Sequence, residues 1–240
     1  MAGKPGFPEI LSFGPTGYGD ELLWGACISL SIALLAYALG LMIGMIGAIC
    51  KLQGSTLTRS IMEGYTTLVR AVPELILILI LYYAGTATLN RLLESSGFEA
   101  IAINGFTAAV LVLGFVQGAY STEVLRAAIQ AIPTGQMEAA RAYGMSPWLI
   151  FRRITVPSML PYAIPGLANL WLIVTKDTAL IAVVGYTELA LATRQAAGNT
   201  KMYFTFFLSA GLIYLIITLV SQKGFAMLER RMRRGQRKLV

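Results

Sequence analysis

From position 22 to position 50 the chain carries no charged residue. About 20 apolar residues are enough to cross the hydrocarbon of a bilayer. Inside that layer an isolated segment can satisfy its backbone polar groups only as a helix. The run therefore requires a transmembrane helix, and four more apolar stretches repeat the requirement, at about 65–85, 107–125, 162–184 and 203–228. Only 13% of residues are charged, against about 25% in soluble domains. The expected fold is an all-α integral membrane protein with five spans. A tail over 1–21 precedes the membrane domain at 22–228, and a basic tail follows at 229–240.

The net charge of +7 does not indicate nucleic acid, because seven of the 19 basic residues fall between Lys223 and Lys238. Basic clusters beside helix ends report orientation. One set of flanks holds Lys51, Arg59, Arg126, Arg141, Arg152, Arg153 and the basic tail. The other holds Lys4, Arg91, Arg194 and Lys201, offset by Glu9, Asp20, Glu21, Glu94, Glu99 and Glu188. With five spans, the N-terminus is expected outside and the C-terminus in the cytoplasm. Residues 1–21 do not read as a signal peptide, and GPTGYG at 14–19 lacks the lysine of a phosphate loop.

The chain has no histidine, which removes Ser-His-Asp and Cys-His catalysis and any imidazole metal site. Cys27 and Cys50 share one predicted helix, about 35 Å apart along its axis, too far to bridge. Gly40, Gly44 and Gly47 give the first span a face of small residues suited to close helix packing. Pro73 and Pro165 are expected to kink or unwind their helices, as happens where a helix lines a cavity.

The third and fourth spans are separated by GQMEAARAYGMSPWLIFRRITVPS (135–158), a basic, helix-forming interval between long apolar runs. A first short helix is expected up to Tyr143, with Glu138 near its start and Gly144 as a left-handed stop. Ser146 and Pro147 begin a second, which Pro157 is expected to end. Ala139 and Ala140 would offer a small surface to a partner. The residues alone fit either an interfacial hairpin or a docking element.

The run E-A-A-x3-G-x9-I-x-V-P, from Glu138 to Pro157, closely resembles the EAA loop of ABC importer permeases, with Val156 where leucine is usual. The stretches at 62–75, 118–145, 165–180 and 225–234 resemble the polar amino acid branch of that family. They lie nearest the Q-type subunits of histidine/lysine-arginine-ornithine and opine permeases. The resemblance implies a type I importer fold in a bacterial inner membrane, with a coupling loop at about 132–158. It implies a second permease subunit, M-type or a copy of this chain. It also implies two ATPase subunits that hold the ATP and magnesium, and a periplasmic binding protein. No cofactor would be bound by this chain, which would not itself be an enzyme. Glu138, Ala139, Ala140 and Gly144 would shape the coupling element, with Arg141, Met145 and Trp148 touching the ATPase.

Ionisable groups inside a membrane mark function by default. Arg70 with Glu74 and Glu123 with Arg126 are spaced for local pairing on a helix. Lys176 and Asp177 are adjacent and need other partners. Arg70, Glu74, Glu123, Lys176 and Asp177, with Gln117, Tyr120, Thr122 and Asn169, are the candidates for lining a substrate path. An acidic lining would suit a basic amino acid. Opines or a neutral polar amino acid such as glutamine are the alternatives, and a self-sufficient secondary transporter is the competing class.

Overall fold

The computed structural model describes residues 11–14, 17–97 and 104–232. The sequence-based expectations for residues 1–10, Pro15, Thr16, residues 98–103 and the tail from 233 lie outside these. Among the described residues all regular structure is helical, and five helices are long and apolar enough to cross a membrane.

The first, α1 (Gly19–Gln53), starts with Asp20 and Glu21 and ends with Lys51. Each charge faces the opposite partial charge of the helix dipole. Ser55 then caps α2 (Thr56–Ala71), its Oγ accepting from the Thr58 N–H at 3.3 Å.

Here the structure departs from the expected second span. The residue before a proline is disfavoured in helical conformation, and Val72 is extended (φ −97°, ψ 136°) ahead of Pro73. The chain breaks there, so α2 is a separate amphipathic helix and the span is α3 (Glu74–Ser95). A π-helical turn at Ile80–Gly85 carries α3 into residues that hydropathy places outside the membrane. Arg70 and Glu74 consequently sit on different helices.

The third span, α4 (Gly105–Gln130), is capped by Asn104, whose Oδ1 accepts from the Thr107 N–H at 2.7 Å. A short helix follows, α5 (Thr134–Ala142). The fourth span, α6 (Pro147–Val184), begins much earlier than hydropathy indicates. Pro157 does not end the helix starting at Pro147. It lies in the first turn after a π-helical stretch at Phe151–Thr155, and the helix continues through Pro161 and Pro165. A missing N–H is tolerated where the i→i−4 pattern is already interrupted.

The connection at 185–202, expected to be simply polar, contains α7 (Leu189–Thr200), whose Leu189, Leu191, Ala196 and Ala197 are buried. The last span is α8 (Tyr203–Met232), which runs past the expected boundary at 228.

Helices α1 and α4 form the centre of the bundle and run parallel. A Cβ on Gly40 would meet Gln117 Cγ at 2.6 Å, and those on Gly44 and Gly47 would meet Ser121 and Thr122. The glycine face read from the sequence thus lies against α4. In return, Gly114 and Gly118 of α4 receive Leu39 and Ile43. Such interlocking is what holds helices together where lipid removes the hydrophobic drive between them. Helix α6 crosses the pair, with Tyr37 donating to the Leu167 carbonyl at 2.9 Å and its ring edge-on to Trp171.

Candidate functional site

Two regions gather the chemistry-bearing side chains. The first lies where α1 and α4 end. Helix α5 closes with Gly144 in the left-handed region (φ +74°). The Gly144 N–H donates to the Arg141 carbonyl at 2.9 Å and the Met145 N–H to that of Ala140 at 3.1 Å. This paired pattern turns the chain sharply and satisfies the last carbonyls of α5. Thr155 donates to Met137 Sδ at 3.8 Å, and Ser158 Oγ lies 3.0 Å from Gln136 Oε1, so α5 is fastened to the start of α6.

A cleft of about 770 Å³ opens between these elements and the end of α1, with Leu52, Met137, Arg141, Met145, Trp148 and Phe151 among its walls. Trp148 is stacked on Phe151 at 5.8 Å yet 67% exposed, and Tyr143 beside it is 88% exposed. Glu138, Ala139, Arg141 and Gly144 are exposed as well. Ala140 is not part of that surface. It is buried, because it faces back into the chain. Two bulky aromatics thus stand in the open beside a polar helix.

The second region lies on the side of the bundle where α2 and the start of α3 meet α4. Tyr65 of α2 donates to the Phe115 carbonyl at the middle of α4, so α2 rises beside a spanning helix. Arg59, Glu63, Thr67 and Arg70 are exposed along one face of α2, leading to Glu74 at the start of α3. Tyr120 donates to Glu74 Oε1 at 3.2 Å, and Asp177 lies beside Glu74, within reach of its carboxyl. Arg70 is within electrostatic range of Tyr120. The break at Pro73 is what swings Glu74 towards Tyr120 and Asp177 instead of leaving it one turn from Arg70. On α6, Tyr162, Asn169 and Lys176 recur every seven residues on one exposed face. Charges exposed at this depth need water or a polar partner.

Glu123 belongs elsewhere. Its Oε1 is 2.6 Å from Lys51 Nζ and its Oε2 is 2.8 Å from Arg126. Lys51 also donates to Thr66 Oγ1 at 2.9 Å and is only 7% exposed. The expected Glu123–Arg126 pairing is present, and Lys51 extends it into a clamp joining α1, α2 and α4. Glu123→Ala would leave the Lys51 charge buried without its carboxylate, which costs about 3 kcal/mol. A clear fall in detergent-solubilised thermal stability is the expected result. Arg126→Gln, which removes a more exposed partner, should lower it far less. Equal melting of parent and Glu123→Ala protein would contradict the clamp.

Gln117 and Thr122 also face packing rather than open space. Gln117 is pressed against Gly40, and Thr122 donates to the Gly118 carbonyl at 2.8 Å while packing on Gly47.

Sequence reasoning took Lys51 and Glu188 for flank charges. Glu188 is fully buried and caps α7, accepting from the N–H groups of Ala190 (2.9 Å) and Leu191 (3.0 Å) and from Ser29 Oγ (2.9 Å). Burial pushes its carboxyl up, opposed by these donors. An acid directly ahead of an apolar helical run was the available signal.

Residues 36–234 match the family described as binding-protein-dependent transport system inner membrane component. Over 232 residues the chain is 38% identical to the octopine transport system permease protein OccQ of Agrobacterium tumefaciens, covering 95% of this chain and 97% of that protein. Over 215 residues it is 41% identical to the histidine/lysine/arginine/ornithine transport system permease protein HisQ of Salmonella typhimurium, with 90% and 94% covered. A solved structure of an amino acid ABC transporter with histidines superposes with a TM-score of 0.74. Its identity is 28%, over 89% of this chain and 95% of that one.

Proposed function

The chain belongs to the family of binding-protein-dependent transport system inner membrane components, and on that premise we propose how its two regions work. It is a permease subunit of an ABC importer for amino acids or opines. The N-terminus lies outside and the C-terminus in the cytoplasm of a bacterial inner membrane, as the distribution of basic flanks supports. That orientation sets α5 and the start of α6 in the cytoplasm, where they receive ATPase subunits through Tyr143, Arg141 and Trp148. ATP and magnesium remain with those subunits. A second permease, of the M-type or a copy of this chain, completes the pathway, and a periplasmic binding protein supplies the substrate.

The observation that carries the pathway reading is the pair of carboxyl groups, Glu74 and Asp177, brought together where α3 begins. The exposed polar face of α2 leads to them from the cytoplasmic end. Two acids beside an exposed polar face favour a guanidinium or ammonium side chain. The substrate is therefore a basic amino acid such as arginine, lysine, ornithine or histidine. The two states of the importer would expose this pair to opposite sides in turn, biased by ATP in the docked subunits.

Glu74→Gln and Asp177→Asn are expected to lower uptake of arginine about ten- to a hundredfold, each removing a charged hydrogen-bond partner worth about 1.5–3 kcal/mol. Uptake of a neutral substrate such as glutamine should not fall in parallel. Proteoliposome uptake of both amino acids measures the discrimination. Unchanged discrimination in both variants would remove the case for a basic substrate.

A further inference from the structure

Helix α8 packs on α6 and α7 and stands off from the middle of α1. Between α1 and α8 is a groove of about 390 Å³ whose floor is Trp171 and whose walls include Leu34, Tyr37, Gly224, Phe225 and Leu228. The Tyr37 hydroxyl is already committed to the Leu167 carbonyl, so the lining offers carbon almost throughout. Gly224 keeps the groove open, since nothing lies within 4 Å of where its Cβ would be. Glu229 turns to the other side of Phe225, beside Pro165 and Gln222.

The mouth of the groove is charged. Gly224, Leu228 and Arg231 follow one another at i, i+4 and i+7 on one face of α8. Arg231 is exposed about one turn, or roughly 5 Å, beyond Leu228. Arg230 shares that last turn. An apolar slot in a spanning helix pair, with a guanidinium one turn past its last lining residue on α8, has the two chemistries of one molecule.

We propose that this groove binds one acyl chain of an anionic phospholipid, with Arg231 holding the phosphate of its headgroup. A neighbouring protein helix would also bury the apolar walls. It would not account for a cation set on the groove's own face, where an anionic leaflet attracts basic side chains. The inference does not depend on which substrate is carried.

The test uses the assembled transporter in phosphatidylcholine nanodiscs doped with a phosphatidylglycerol bearing a photoactivatable acyl chain. The same label on phosphatidylcholine is the comparison. Labelling of the peptide containing residues 221–228 should be roughly fivefold stronger with phosphatidylglycerol, the contribution of one basic residue near an anionic lipid. Arg231→Gln should bring it down to the phosphatidylcholine level, and Gly224→Leu should lower labelling by both lipids. Equal labelling by the two lipids in the parent protein overturns the proposal. So does high-yield cross-linking of Gly224→Cys to a second permease subunit with no lipid label at the site. Arg231 is exposed, so its variant tests the headgroup contact without disturbing the packed interior.

Discussion

Gly44→Val is expected to prevent recovery of a folded protein, whereas Gly211→Val leaves melting unchanged. A Cβ at Gly44 would stand 2.9 Å from the Ser121 carbonyl carbon and 3.0 Å from the Thr122 nitrogen. These are backbone atoms of a spanning helix, and they cannot rotate aside as a long side chain can. Valine adds two methyl groups to that overlap, so α1 and α4 must separate along their length. Gln117 Nε2 and Ser121 Oγ are buried in the seam without a hydrogen-bond partner among the described residues, so the contact rests on shape. Separation would also pull Lys51 from Glu123, because that clamp joins the same two helices. The combined loss is about 4–5 kcal/mol, the range reached when overpacking breaks a core. At Gly211, on the exposed face of α8, no atom lies within 4 Å of the added Cβ. Yield and melting temperature in detergent check both variants, and a Gly44→Val protein that melts like the parent would refute the interlock.

The five apolar helices were legible because a bilayer sets the length of every span in advance. The start of the second span was not. Residues 62–72 mix Leu68 and Val69 with Thr66, Thr67 and Arg70, and hydropathy averages across the break that Val72 and Pro73 impose. The α6 start was hidden for a related reason. Arg152, Arg153 and Pro157 read as a boundary, while a π-helical turn carries the helix through them. The left-handed stop at Gly144 was legible, since only local backbone geometry is involved. Pairings across spans were not. Lys51 meets Glu123, and Asp177 meets Glu74, only because of the register in which α1, α3, α4 and α6 stack. A single sequence does not encode that register in any local pattern. Glu123 therefore read as a path candidate or a local partner of Arg126, and the Lys51 half of its clamp had no signal in the sequence.

Gly144→Asp is expected to abolish uptake with the chain still inserted in the membrane, and the structure sharpens what that loss would mean. The glycine has two separable properties. Its φ of +74° is one that side chains with a branched Cβ rarely adopt, and its Cβ position faces open space with no atom of this chain within 4 Å. Valine tests the first property. In a left-handed turn it costs more than the 1–2 kcal/mol typical of an unbranched residue. It would undo the Met145–Ala140 and Gly144–Arg141 hydrogen bonds that set the angle between α5 and α6. Aspartate and asparagine test the second. Both tolerate the left-handed region, have nearly the same shape and differ in charge. No atom of this chain lies within 4 Å of that Cβ, and a carboxylate at a helix C-terminus is disfavoured by only about 0.3–1 kcal/mol, so a larger difference between them reports on what docks there. The expected order is therefore Gly144→Asn retaining most uptake, Gly144→Val losing about tenfold or more, as a loss of 1.4 kcal/mol of coupling produces, and Gly144→Asp losing it altogether. Substrate uptake and co-purification of the ATPase subunit, each normalised to permease in the membrane, separate the cases. Gly144→Val should keep a weakened ATPase contact in a wrong orientation, while Gly144→Asp should lose the contact itself. Normal uptake by Gly144→Asp would leave α5 as an interfacial helix with no part in coupling.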